Sequence, residues 1–156
     1  MTILEMIRSF DFPLFVFVVA LAFAWAMMEI EIEGPHGWAK NLPTWRIKKH
    51  PWMDFIYGGA EITGYHVWAF GGIFLFFHMP LVWTMTWSWR AEAHVFGAFC
   101  LFWVIEDYLW FLFNPAYGHK GLSPEKAWWH KRWLWRWPVN YYISGALGLA
   151  LFLIRP

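Results

Sequence analysis

Cys100-Leu-Phe-Trp-Val-Ile-Glu-Asp-Tyr-Leu-Trp-Phe-Leu-Phe-Asn114 is an apolar run of helical length that carries two adjacent acids, Glu106 and Asp107. The whole chain is 60% hydrophobic and 15% charged, with 15 Trp and 16 Phe. An ordinary soluble domain is roughly 45–50% apolar and about 25% charged, so the run reads as a membrane span. A carboxylate at membrane depth is costly unless it is neutralised, paired or metal-bound. The two acids therefore mark a candidate functional site.

Working outward from this run, three more apolar segments reach or approach the ~20 residues that a crossing needs. The expected fold class is all-α: an integral membrane four-helix bundle in a single transmembrane domain over 1–156. Its spans fall at about 12–33, 61–87, 93–113 and 138–154, with two long cytoplasmic interfacial loops between them. Gly34-Pro35 stops the first span and Asn114-Pro115 the third. Gly71-Gly72 predicts close helix approach or a bend in the second. Ser144, Gly145 and Gly148 predict a small-residue packing face on the fourth. Residues 1–11 read as an interfacial segment, and because Arg8 is balanced there by Glu5 and Asp11, the first apolar run reads as a retained span rather than a cleaved signal. Tyr57-Gly58-Gly59-Ala60 predicts a flexible lead into the second span. Ser123-Pro124-Glu125 has the cap and first-turn proline of a helix start, which predicts an interfacial helix over 125–133.

The basic residues fix an orientation. The two long connections hold Lys40, Arg46, Lys48, Lys49, Lys120, Lys126, Lys131, Arg132 and Arg136, against Arg8, Arg90 and Arg155 on the other side. The positive-inside rule then puts both connections in the cytoplasm of a prokaryotic inner membrane and both termini outside. With a net charge of +1 and no basic stripe, nucleic acid is not an expected partner. Cys100 is the single cysteine, so no internal disulfide forms.

Counted from the cytoplasmic ends of these spans, Glu29, His66, Glu106 and Asp107 all fall about 6–11 Å deep at ~1.5 Å per residue. Glu29 and Glu33 share one helical face, and Asn140, Tyr141, Tyr142 and Ser144 lie at similar depth on the fourth span. His36, His119 and His130 stand above the same layer. Four helices thus send polar groups to one level, which predicts a site below the cytoplasmic headgroups, lidded by aromatic loops.

Two chemistries suit that layer. Carboxylates and imidazoles from several helices form ligand sets for Fe, Mn or Zn, here Glu29, Glu33, His36, His66, Glu106, His119 and His130. Alternatively, Glu106, Asp107 and His66 act as acid and base on a lipid or other hydrophobic substrate, with Trp faces stabilising positive charge. Successive helical residues diverge by about 100°, which turns Glu106 and Asp107 apart and favours Glu106 as ligand or base and Asp107 as its structural partner. Haem or pigment binding would use His78 and His94 as facing axial ligands. A further reading is a Trp-rich, non-catalytic subunit of a larger membrane complex or homo-oligomer. Four spans with intramembrane Glu, His and Trp resemble, in architecture alone, the small membrane sterol isomerases and related lipid-binding proteins. No residue role is carried over on that resemblance.

Overall fold

The computed structural model describes residues 10–48 and 60–156, apart from the side chain of His119. The expected segment at 1–9 and the Tyr57-Gly58-Gly59 lead lie outside the described residues. Within them the protein is mostly helical, with α1 (Phe12–Glu33), α2 (Gly64–Thr84), α3 (Trp89–Phe113) and α4 (Val139–Phe152). The first three are long and apolar enough to cross a membrane. α4 has 14 residues, short of the ~20 that a crossing requires.

The fold is mostly helical, and each long connection adds a short antiparallel ladder. β1 (Arg46–Ile47) pairs with β2 (Ile62–Thr63), and β3 (Trp133–Leu134) pairs with β4 (Trp137–Pro138). The first ladder delays α2 to Gly64, since Ile62 and Thr63 are held extended against Arg46 and Ile47. α3 starts at Trp89, ahead of the expected 93, because Ser88 caps it by accepting the Ala91 N–H at 3.1 Å.

The helix expected over 125–133 does not form. Ser123 O accepts from Ala127 N at 2.9 Å, which closes one turn, and the chain then leaves helical geometry. Ala127 and Trp129 are both buried in the same cluster. On a helix, residues two apart point about 200° from one another, so burying both on one side excludes a helix there.

α3 is the central helix. Its Gly97 and α4's Gly148 bring the two backbones into contact: a Cβ on Gly97 would lie 2.4 Å from Phe152 N and 2.8 Å from Gly148 O. Gly145, Gly71 and Gly72 have no neighbour within 4 Å of such a Cβ, so the expected small-residue face reduces to Gly148 and the paired glycines of α2 bring nothing close. Around this contact Val18, Ala22, Ala98, Phe102 and Phe152 form one buried cluster. A second cluster, with Ala26, Ile30, Trp110, Phe111 and Trp129, lies beneath the long connections.

Candidate functional site

α1 ends where Gly34 takes φ 63°, and its last turns bury Glu29 and Glu33 on one side. Beyond it Gly37, Trp38 and Ala39 have φ of 60°, 49° and 50°. This run of left-handed residues returns the chain so that the Ala39 N–H donates to Glu33 Oε1 at 2.5 Å. Only a glycine fits the first of these positions, because a Cβ on Gly37 would lie 2.6 Å from the Trp129 ring. The two long connections therefore touch over the ends of the helices.

The start of α2 supplies His66 and Tyr65. Thr63 Oγ1 accepts from the His66 backbone N–H at 3.2 Å and lies 2.6 Å from His66 Nδ1. The Thr63 hydroxyl thus holds both the backbone and the ring of His66, leaving Nε2 as the ring atom turned to the rest of the site. That atom faces Glu33 Oε1 at 3.6 Å. The His66 ring stacks on Trp38 with centroids 4.0 Å apart, and the Tyr65 hydroxyl donates to Glu29 Oε1 at 3.0 Å.

α3 contributes both acids. Glu106 is 2% exposed, and its Oε1 has no hydrogen-bond partner among the described residues. Asp107 Oδ2 accepts from the Tyr141 hydroxyl and lies 3.1 Å from His130 Nε2. With Nε2–H donating to that carboxylate, the neutral His130 ring keeps its lone pair on Nδ1. At the end of α3, Asn114 Nδ2 donates to Gly34 O at 3.0 Å, tying the ends of α1 and α3 together. Nearby, burial and then the charge of Glu33 push the Tyr117 phenol up from its ordinary range, so it stays protonated at neutral pH.

Glu29, Glu33, His66, Glu106, Asp107, His130 and Tyr141 all line one cavity of about 320 Å³. Its polar end is roofed by Trp38, Trp110 and Trp129, and its apolar side runs along Phe96, Phe99, Cys100, Ile143 and Leu147. α2 and α4 both pack on α3 without close backbone approach to each other, and the apolar side of the cavity occupies the gap between them.

Of the residues expected at the site, Glu29, Glu33, His66, Glu106, Asp107 and His130 are brought together. His36 is exposed and stands apart from the cavity, so the Glu33-x-x-His36 spacing, broken by Gly34-Pro35, does not place the two on one side. His119's side chain lies outside the described residues. No three His, Cys, Asp or Glu side chains converge on a point where a metal ion would sit, among the described residues. The carboxylates are instead taken up in separate pairs: Glu29 with Tyr65, Glu33 with Ala39 and His66, Asp107 with Tyr141 and His130. Among the described residues the expected Fe, Mn or Zn set is not assembled. His78 engages Phe74 O at 2.7 Å and Glu92 Oε1 at 2.9 Å. His94 stacks on Phe152 and lies 3.6 Å from Asp11, so the two rings expected as facing haem ligands each have other neighbours.

Sequence reasoning missed three contributors. Thr63 holds the His66 ring and backbone, Trp38 covers the ring, and Trp129 closes the roof. Thr63 carries a recognisable signal, as an N-cap three residues before His66. The two Trp residues carry none, being two among 15. Comparison with known proteins yields no match, whether with family models, curated proteins or solved structures.

Proposed function

We propose that this chain is an integral membrane protein with an acid–base site for a hydrophobic, polar-headed substrate that enters sideways between α2 and α4. Membrane placement is supported by the distribution of exposed side chains. Val16, Phe17, Phe23, Leu75, Phe76 and Val82 lie exposed along α1 and α2. Exposed Trp83, Trp87 and Trp89 gather at one end of the helices and Trp45, Trp135 and Trp137 at the other, as the two aromatic belts of a membrane protein do. In this placement the long connections face the cytoplasm, and the short α4 is accommodated by local thinning of the bilayer.

The observation that carries the functional reading is the cavity itself, polar at one end, apolar along its side, and holding a buried carboxyl oxygen of Glu106 without a partner. A buried polar atom left unpaired costs about 1–3 kcal/mol, and a bound polar head recovers that cost. Glu106 exchanges a proton with the substrate, while Asp107 holds His130 in the tautomer whose free Nδ1 can accept one. The aromatic roof excludes water from the exchange. The reaction class this supports is proton relocation on a lipid-like molecule, with one group removing a proton and another returning it.

The test is incubation of the full chain, reconstituted in vesicles, with a total membrane lipid extract, followed by mass spectrometry of the lipids. One lipid class should be converted by the wild type, and Glu106→Gln and Asp107→Asn should each slow that conversion about a hundredfold. Identical lipid profiles with wild type, variants and empty vesicles would overturn the reading. Elemental analysis of the same preparation decides whether Fe, Mn or Zn accompanies the site.

A further inference from the structure

We infer that the ligand of this cavity carries a cationic ammonium head on an apolar chain, an inference that rests on reading the cavity as a ligand site. Four acids, Glu29, Glu33, Glu106 and Asp107, line it, and among the described residues no lysine or arginine does. The Arg46 guanidinium is engaged by Glu61 Oε2 at 3.4 Å and by Ala39 O. Acids packed this closely hold protons among them, and a cation entering the cavity displaces those protons and pairs with the charge left, whereas an anionic head is repelled.

The unpartnered Glu106 Oε1 gives the attraction a direction. Once Glu106 is ionised, its Oε1 accepts and never donates, so the group that completes that form is a donor, and an ammonium N–H is a charge-assisted one. Ring faces at the same end add to this, because a cation within about 6 Å of an indole face is held by the ring quadrupole. The indole Nε1 atoms of Trp103 and Trp110 are also buried without partners. They lie about a turn on either side of Glu106 along α3 and suit a neutral oxygen on the ligand, since a second anion would face all four acids. A bare metal ion is a poorer occupant, because no three ligating side chains converge among the described residues.

The apolar chain follows from the other wall. Phe96, Phe99, Cys100, Ile143 and Leu147 lead from the acids toward the gap between α2 and α4. Ile143 and Leu147 are 41% and 46% exposed, so this wall of the track reaches the surface. Cys100, the single cysteine, stands on it and reports occupancy without touching the polar groups.

The experiment uses the full chain in maltoside micelles with three probes of equal chain length: octylammonium, octyl glucoside and octyl sulfate, each below its micellar concentration. The rate at which N-ethylmaleimide alkylates Cys100 is read by intact mass, and the thermal midpoint is read in parallel. Octylammonium should slow alkylation about fivefold or more and raise the midpoint, while the neutral and anionic probes do neither. Glu106→Gln should raise the half-protecting octylammonium concentration about tenfold. Equal protection by octyl glucoside or octyl sulfate would overturn the ammonium assignment while leaving an amphiphile site standing. Absence of both protection and thermal shift with all three probes would overturn the assignment together with the amphiphile reading. Should Glu106→Gln fail to fold, the wild-type comparison among the three probes decides the matter alone.

Discussion

α3 meets its neighbours in two opposite ways. Near its start, Gly97 lies against the backbone of α4 so closely that no side-chain atom fits between them. Toward its end, Trp103, Glu106 and Trp110 border an open cavity, and all three have a buried polar atom with no partner. The first region is backbone against backbone, and rigidity there follows from having nothing to rearrange. The second leaves hydrogen-bonding capacity unused, which a protein selected for stability alone would fill. The tight contact is what holds the open one in shape, because α4 also carries Tyr141, whose hydroxyl reaches Asp107.

Breaking the tight region should have the largest effect. In Gly97→Leu the new side chain meets Phe152 N, Gly148 O and Leu151 C, all backbone atoms that cannot turn aside. Overpacking at such a site costs about 3 kcal/mol, read as a lowered denaturation midpoint in detergent. Tyr141 should be displaced with α4, so substrate conversion should fall as well. Unchanged stability would mean that α3 and α4 do not approach as closely as this contact requires.

A second break lies at the roof of the cavity. Gly37→Ala forces a side chain into a left-handed backbone position and drives its Cβ to 2.6 Å from Trp129. The backbone penalty is about 1 kcal/mol and the displaced ring adds a similar amount, for a loss of about 2 kcal/mol. Because Trp129 and Trp110 shift together, Cys100 and the acids below should become more accessible to water, seen as faster alkylation of Cys100. A variant as stable and as slowly alkylated as the wild type would separate the two connections.

How far these regions were legible in the sequence follows from the range of the interactions that make them. The four helices were visible because their apolar runs and stops are local: Gly34-Pro35 and Asn114-Pro115 end α1 and α3 where expected. The acids and histidines could be placed in one layer by counting rise along each helix, and the cavity does gather Glu29, Glu33, His66, Glu106, Asp107 and His130. The partner of each acid was not legible. Tyr141 reaches Asp107 across 34 positions and Tyr65 reaches Glu29 across 36, and no periodicity encodes such pairings. Helical geometry turns Glu106 and Asp107 apart, yet both line the cavity, since a cavity wider than one side chain accepts residues 100° apart. The loops misled most, because Ser123-Pro124-Glu125 is a sound local start that tertiary burial of Ala127 and Trp129 overrides.

Tyr141→Phe sharpens the comparison at smaller scale. It removes the hydroxyl that donates to Asp107 and leaves the ring against His130 in place. The loss should be about 1 kcal/mol, with a larger proportional effect on substrate conversion than on stability, because Asp107 keeps His130 but loses part of its fixed orientation. Equal proportional losses in both would make Tyr141 a structural residue.

The smallest effect belongs to the far end of the helices, which has its own histidine–acid pair. His78 Nε2 lies 2.9 Å from Glu92 Oε1, much like His130 and Asp107 at 3.1 Å. Their surroundings differ: the His78 side chain is 17% exposed against 6% for His130, and Glu92 also accepts from Trp87 Nε1 at 3.1 Å, at a rim among exposed tryptophans. Partners released there find water, so His78→Gln should cost about 0.5 kcal/mol and leave octylammonium protection of Cys100 unchanged. A loss in either reading as large as that of Tyr141→Phe would show that geometry alone, without the closed surroundings, gives such a pair its weight. The contrast between the two ends would then rest on the unpaired Glu106 oxygen and not on the histidine–acid pairs.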